Sequence, residues 1–223
     1  MTAQRKPQGT VLLTGFAPFD GEIDNPSWLA VRRLEGEIVQ GNRIAARELP
    51  TAFGDSLREL REHIDALRPT LVLCVGQAGG SARLSIERVA INIDDARIAD
   101  NRGAQPIDTP VVADGPAAYF STLPIKAMLA ALREAAIPAE ISQSAGTYVC
   151  NHVFYGLMHA LSQHGQAGVR GGFIHIPYSP AQALRHPGAT SLPIDSVVLA
   201  LRVMLDTALA TTVDRRIAGG AEY

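Results

Sequence analysis

The sequence lacks the features that mark several classes of protein. Only two of its 223 residues are cysteines, Cys74 and Cys150, and this small number excludes a disulfide-stapled scaffold. The net charge is −2 and the basic residues form no long run, which argues against a nucleic-acid partner because such a partner needs a basic face. No apolar run approaches the length of a membrane-spanning helix, so we expect no membrane partner.

The N-terminal segment also lacks a recognisable export signal. Residues 1–9 are polar and contain no apolar stretch of the kind found in a signal peptide. We therefore expect a cytoplasmic protein with reduced thiols. In that compartment a bridge between Cys74 and Cys150 is the less favoured state.

What the chain does contain is the composition of an ordinary globular protein. Hydrophobic residues make up 47% and charged residues 19% of the sequence, and its length suits one substantial core. We predict a single catalytic α/β domain over residues 1–223, with residues 1–9 and 214–223 as flexible tails. We see no internal repeat and no linker that would divide the chain.

Apolar segments of two kinds alternate along the chain. Helical periodicity marks a segment after Asn25-Pro26, which resembles a helix cap followed by proline, and four later segments at 53–67, 125–132, 153–161 and 194–209. Strands are predicted at 10–16, 43–49, 71–75, 84–93, 139–142 and 172–178. Continuous apolar strands that alternate with helices indicate a three-layer α/β/α sandwich around a mostly parallel, twisted sheet. Residues 94–118 show no periodicity, which is typical of a binding loop.

Cys150 is placed where a thiol nucleophile would be. It lies where a strand-like segment gives way to a helical one, and His175 lies inside a predicted strand. A helix N-terminus and a nearby imidazole both favour the thiolate, which is the attacking form. Free cysteines are also commonly buried core residues. Cys74, between Leu73 and Val75, fits that description better than Cys150 does.

Two further assignments are open on spacing alone. His152 lies only two residues from Cys150, and helical residues with that spacing point to different sides, so His175 is the better candidate base. Glu87 and Arg88 each share a strand face with apolar residues, so at least one of them needs a buried partner. An imidazolium–carboxylate pair would provide it, and a surface Glu–Arg pair is the alternative.

Several other side chains follow predicted strands, where α/β proteins form their sites. These are Phe16 and Phe19 after the first strand and Gln77 after the third. The glycines of residues 76–80 match neither common phosphate-binding motif, and a tight strand-exit turn explains them better. No cluster of side chains has metal-ligand spacing, so we predict no metal site.

Six segments closely resemble the type I pyroglutamyl peptidases, also called pyrrolidone-carboxylate peptidases. They occur in family order and extend from about residue 11 to residue 178. They are Leu12-Leu-Thr-Gly-Phe-Ala-Pro-Phe-Asp20, Asn25-Pro-Ser-Trp28, Cys74-Val-Gly-Gln-Ala-Gly-Gly80, Glu87-Arg-Val-Ala-Ile-Asn92, Ser144-Ala-Gly-Thr-Tyr-Val-Cys-Asn-His152 and Gly171-Gly-Phe-Ile-His-Ile-Pro-Tyr178.

The resemblance implies a cysteine exopeptidase that removes an N-terminal pyroglutamyl residue from peptides. It implies Cys150 as nucleophile, His175 as base and Glu87 as the acid that orients it. The resemblance also implies the family's α/β/α fold, the absence of a cofactor and the homotetramer that the family often forms. The residues that match the family's substrate pocket or lie near it are Phe16, Phe19, Gln77, Thr51, Arg97, Tyr148 and Val149.

Two residues depart from the family pattern. Ser81 stands where the family often has arginine, and Tyr148 where it often has phenylalanine.

From the residues alone, two other functions are open. A thiol amidase for another small cyclic or acyl amide fits the same pattern. A noncatalytic metabolite-binding module, using the segments 76–80 and 94–118, is the alternative of a different class.

Overall fold

The computed structural model describes residues 7–163 and 168–220. The outer parts of the predicted tails, residues 1–6 and 221–223, lie outside the described residues. The strands are β1 (Gly9–Phe16), β2 (Ile38–Val39), β3 (Asn42–Leu49), β4 (Leu71–Gln77), β5 (Leu84–Glu87), β6 (Val89–Ile91), β7 (Ala118–Phe120), β8 (Ala139–Ser142) and β9 (Arg170–Ile176). The helices are α1 (Pro26–Val31), α2 (Asp55–Leu67), α3 (Ile125–Glu134), α4 (Val149–Ser162), α5 (Pro180–Ala183) and α6 (Ile194–Ala210).

Seven strands form the main sheet in the order β2-β3-β1-β4-β9-β5-β8. The pairs β1–β3, β1–β4, β4–β9 and β5–β8 are parallel, and β2–β3 and β5–β9 are antiparallel. The prediction of a mostly parallel sheet is therefore confirmed. The carboxyl ends of β1, β4 and β9 lie along one edge, which is where the predicted site residues meet.

Apolar side chains cover both faces of this sheet. Successive residues of β1 point to opposite faces, so Leu13 joins a core with α1, α3 and α6 while Leu12 joins a second core with α2 and α4. Helices thus pack on both faces, as the sequence pattern predicted. Within the described residues, no helix combines the length and the apolar character needed to cross a membrane.

The single strand predicted over residues 84–93 is wrong in one respect, because it is divided at Arg88. β5 stays in the main sheet, whereas β6 pairs with β7 in a separate two-stranded sheet. The backbone of Arg88 bonds to Ser142 and Ser121, and its guanidinium donates to the carbonyl of Gly219 at 3.1 Å. These contacts come from distant parts of the chain, so local alternation could not reveal the division.

The described parts of the two predicted tails pack against the domain. Gly9 is already in β1, and the carboxylate of Asp214 accepts hydrogen bonds from the backbone N–H groups of Lys126 and Ala127 at the start of α3. The aperiodic segment 94–118 is also anchored, because Asn92 bonds through its side chain to the backbone of Val112. Flexibility of the tails stays a prediction.

Candidate active site

Cys150 lies at the second residue of α4, half-buried at the edge of the sheet. Tyr148, which precedes the helix, provides no side-chain cap, so the first N–H groups of α4 have no capping side chain and make this end electropositive. A Cβ atom added to Gly76 would lie 2.9 Å from Sγ of Cys150. Glycine at this position therefore lets the sulfur approach the end of β4.

His175 on β9 and Glu87 on β5 form a buried pair. Nδ1 of His175 lies 2.8 Å from Oε1 of Glu87, and the two residues are only 7% and 1% exposed. The buried partner expected for the charge at positions 87–88 is therefore His175. Because Nδ1 donates to the carboxylate, Nε2 is the ring nitrogen left for Cys150.

The surroundings of His175 favour its charged form. Burial by itself would lower the pKa of His175, but the negative charge and hydrogen bonding of Cys150, followed by those of Glu87, raise it to about 10. The imidazolium is thus stabilised by an anion on each side. An imidazolium beside a sulfur is the arrangement that pairs a thiol nucleophile with its general acid.

Cys150, His175 and Glu87 open onto one cavity of about 340 Å³. Phe16 and Phe19 line it, and the ring centroid of Phe19 lies 6.1 Å from that of Tyr148. Such a cavity, apolar with a few polar groups, suits a small molecule that has both characters. Its remaining lining residues are Asn25, Thr51, Gln77, Ala78, Ser85, Ser142, Ser144, Ala145, Gly146 and Tyr148.

The polar wall of the cavity is held in place by hydrogen bonds. Oε1 of Gln77 accepts from Nε2 of Gln182 at 3.1 Å, and Oγ1 of Thr51 donates to the carbonyl of Ala17 at 2.7 Å. Because Gln182 occupies the side-chain oxygen of Gln77, the side-chain nitrogen of Gln77 is the group that can donate to another acceptor. Sequence reasoning missed Gln182, because it lies six residues after the end of β9 and belongs to no recognised motif.

Two residues named by the resemblance are not brought to the cavity as side chains. Val149 is fully buried in the core beneath α4, so only its backbone belongs to the helix start beside Cys150. Arg97 is exposed and does not line the cavity. Its backbone carbonyl accepts a hydrogen bond from the side chain of Gln105 at 3.2 Å, so this contact lies within the 94–118 segment.

The two departures from the family pattern have local structural roles. The hydroxyl of Tyr148 donates to the carbonyl of Ala99 at 3.2 Å, and burial, followed by the negative charges of Asp100, Cys150 and Asp20, raises the pKa of Tyr148 to about 12. The hydroxyl thus ties the cavity wall to the long loop. Ser81 accepts from the N–H of Arg83 and anchors the turn that leads into β5.

His152, the other candidate base, belongs to a separate buried network. Its Nδ1 lies 2.8 Å from Oδ2 of Asp94, and its Nε2 accepts from the N–H of Gly54 at 3.0 Å. Both ring nitrogens are occupied, and the ring packs edge-on against Phe53 with centroids 5.3 Å apart. Phe53 in turn contacts Tyr148, so His152 supports the aromatic wall and is not placed to act on the sulfur.

The two cysteines have different surroundings and are both free. Cys74 is fully buried, and burial raises its pKa to about 12. Cys74 is therefore a core thiol, as its flanking residues predicted. Among the residues that the structure describes, no cluster of three His, Cys, Asp or Glu side chains could hold a metal ion.

Comparison with known proteins gives a consistent result. The model of one protein family, described as pyroglutamyl peptidase, matches residues 9–211. The pyrrolidone-carboxylate peptidase of Cupriavidus taiwanensis is 63% identical over 95% of this chain and 98% of its own length. The protein of the same name from Escherichia fergusonii is 59% identical over 96% of this chain and 99% of its own length.

Solved structures show the same relationship. Pyroglutamyl peptidase I from Bacillus amyloliquefaciens has a TM-score of 0.90 and 48% identity, with 93% of this chain and all of that chain covered. Pyrrolidone carboxyl peptidase from Thermococcus litoralis has a TM-score of 0.86 and 35% identity, covering 91% of this chain and 94% of that one. The sequence, the fold and the geometry around Cys150 agree, and the chain belongs to the pyroglutamyl peptidase family.

Proposed function

We propose that this chain is a cysteine peptidase that hydrolyses the amide bond after an N-terminal pyroglutamyl residue, through a thioester acyl-enzyme. One observation supports the proposal most directly. The buried pair of His175 and Glu87 and the thiol of Cys150 at a helix start open onto the same partly aromatic cavity. Nucleophile, base and orienting acid are the three parts that such chemistry needs.

In the acylation step, the thiolate of Cys150 attacks the carbonyl carbon of the pyroglutamyl residue. The tetrahedral intermediate then collapses as the C–N bond breaks, and the imidazolium of His175 gives its proton to the departing amine. Glu87 keeps the ring oriented and balances its charge. The pyroglutamyl group is left as a thioester on Cys150.

In the second step, water hydrolyses this thioester. The now neutral His175 takes a proton from the water as its oxygen attacks the carbonyl, and the C–S bond breaks to restore the thiolate and the imidazolium. In both steps negative charge develops on the carbonyl oxygen. The N–H groups at the start of α4, those of Val149 and Cys150 among them, are donors suited to that charge.

The cavity also accounts for the choice of substrate. The pyroglutamyl ring is a neutral lactam, so its carbon atoms suit the surface of Phe16, Phe19 and Tyr148, while its polar edge suits Gln77 and Thr51. A site that hydrogen-bonds the lactam carbonyl leaves its own polar groups unpaired when proline binds. We therefore propose that prolyl amides are poor substrates.

The test combines a substrate panel with two cysteine variants. Pyroglutamyl, prolyl and glutamyl anilides are compared by release of the amine, and we expect turnover of the pyroglutamyl compound only. Cys150→Ala should abolish it, whereas Cys74→Ala, the matched control, should retain it. Full activity in Cys150→Ala excludes the mechanism, and preference for another amide supports the other thiol amidase. Binding without turnover of any amide would support the noncatalytic module.

We also propose that the enzyme works without a cofactor, in the cytoplasm, as a homotetramer. The family resemblance supports the first and the last statement, and the two free cysteines support the second. Sedimentation of the purified protein measures the number of subunits, and a monomer at micromolar concentration would contradict the last of them.

A further inference from the structure

A second cavity, of about 510 Å³, lies beside the one that holds Cys150. Ser142 and Ser144 line both cavities, so the two cavities adjoin at the end of β8. All four residues of β8 line the second cavity, and the others are Arg83, Leu129, Arg133, Gln143, Ser144, Gly219 and Gly220. Nothing in the proposed mechanism uses this space.

The order of the strands indicates in which direction a bound substrate would extend from the first cavity. Phe16 ends β1, Cys150 lies against the end of β4, His175 is on β9, and Ser142 ends β8, in the spatial order β1-β4-β9-β5-β8. In the proposed mechanism the ring binds beside Phe16 and His175 on β9 protonates the departing amine, which places that amine on the β5 side of the sulfur. The peptide that follows it therefore continues towards Ser142 and the second cavity.

The second cavity presents groups that suit a peptide. β8 is the outermost strand of the main sheet and bonds only to β5 among its strands, and edge strands carry backbone groups available to an extended chain. The charged side chains that line the second cavity are two arginines and one glutamate. Arg83 reaches Glu140 at 3.5 Å, with 63% and 43% of these side chains exposed, and Arg133 makes no ion pair with any residue that the structure describes.

We propose that this second cavity binds the part of the substrate that follows the pyroglutamyl residue, and that Arg83 and Arg133 pair with a carboxylate of that part. The carboxylate is either the peptide's own C-terminus or an Asp or Glu side chain. This inference rests on the proposed function, because it places the leaving peptide of that reaction. It makes the enzyme selective for acidic or short free-acid peptides over their neutral counterparts.

The experiment measures kcat and KM for four substrates. They are pyroglutamyl-Ala-Ala-Ala as the free acid, the same peptide as its C-terminal amide, the amide with glutamate at the second alanine, and a pyroglutamyl anilide that is too short to enter the second cavity. The wild-type enzyme should prefer both carboxylate-bearing peptides over the neutral amide. Comparison of the free acid with the glutamate peptide shows which carboxylate the arginines take.

The variant Arg83→Ala/Arg133→Ala should lower kcat/KM for the carboxylate peptides about threefold to fivefold, mainly through KM, as expected of exposed ion pairs. The anilide should be unaffected, and Glu140→Gln should shift the preference further towards carboxylates. Arg61→Ala is the matched control, since Arg61 is an exposed arginine on α2 at the other face of the sheet.

Failure of the two proposals can be told apart. If the wild-type enzyme leaves the anilide uncleaved, the proposed function itself is wrong. If the anilide is cleaved but the free acid and the amide have equal kcat/KM, or if Arg61→Ala lowers the preference as much as the double variant, the second cavity is not the binding site. Raised salt should also weaken the preference, because exposed charges are screened.

Discussion

At the scale of the residue, the charge of His175 is set by its neighbours. Its pKa is raised to about 10 against burial, which lowers it, and Cys150 contributes the largest raising effects ahead of Glu87. A raised pKa means that the imidazolium persists as the pH rises past its ordinary value and is lost only as the pH passes through the raised one. The sulfur on α4 should therefore control the titration of a residue on β9.

This control predicts the effect of removing the thiolate. In Cys150→Ser the neighbour is neutral, so we expect the pKa of His175 to fall well below about 10, with Glu87 alone left to raise it. The measurement is the pH dependence of the His175 ring signals by NMR in both proteins. His159→Gln, on the same helix but bonded to Tyr119, serves as the control that should leave the titration unchanged. An unchanged titration in Cys150→Ser would contradict the pairing.

At the scale of the element, the start of α4 is joined to two loops through His152. This one side chain bonds to Asp94 in the long loop and to Gly54 at the start of α2. It also packs against Phe53, which in turn contacts Tyr148 of the cavity wall. The helix that presents the thiol is therefore fixed relative to the aromatic wall of the cavity.

Replacing His152 should loosen this wall without removing the reacting groups. His152→Leu leaves the carboxylate of Asp94 buried and unpaired, and a buried acceptor without its partner costs about 1–3 kcal/mol of stability. It also removes the acceptor of the N–H of Gly54, which is an exposed residue. We expect KM for the pyroglutamyl anilide to rise more than kcat falls, because the ring pocket is displaced while His175 stays in place. Chemical denaturation and steady-state kinetics measure the two effects, and His159→Gln is again the control. A loss confined to kcat would instead indicate a direct role in the reaction.

The elements also show what the sequence could and could not predict. β1, β4 and β9 are continuous apolar runs, so their burial and their place in a parallel sheet followed from the residues themselves. The division of the strand at Arg88 did not, because it depends on the carbonyl of Gly219, more than a hundred positions away in the sequence. For the same reason the partners of His152 could not be found from spacing.

The site was predicted unevenly for a related reason. Cys150 and His175 could be chosen from their positions at strand ends, and the need for a buried partner near Glu87 followed from the cost of burying a charge. Val149 and Arg97 came from the resemblance alone, which gives positions along the chain and not the direction of a side chain. The second cavity was not foreseen, since no motif marks the place where a sheet edge and a C-terminal segment meet.

At the scale of the whole molecule, the sheet separates a reactive face from a supporting one. The helices α2 and α4 and the cavity residues Phe16 and Tyr148 pack on one face, while α1, α3 and α6 form the core on the other. Stability and reactivity can therefore be changed separately.

Leu201 of α6 gives a test of this separation. It is fully buried in the core opposite the site, so Leu201→Ala should lower the free energy of unfolding by about 2–5 kcal/mol. We expect kcat/KM below the melting temperature to stay within about twofold of the wild type, since a distant, independent change leaves the reacting groups in place. Urea denaturation and the anilide assay check the two halves, and a parallel loss of activity in the folded variant would contradict the separation.

The central claim is that one thioester on Cys150 is common to all substrates, and acyl transfer to hydroxylamine tests it most directly. The wild-type enzyme is given pyroglutamyl substrates with different leaving amines, and the ratio of pyroglutamyl hydroxamate to pyroglutamate is measured. We expect the same ratio for every leaving amine, and neither product with Cys150→Ala. A ratio that changes with the leaving amine, or product formation by Cys150→Ala, would contradict the account.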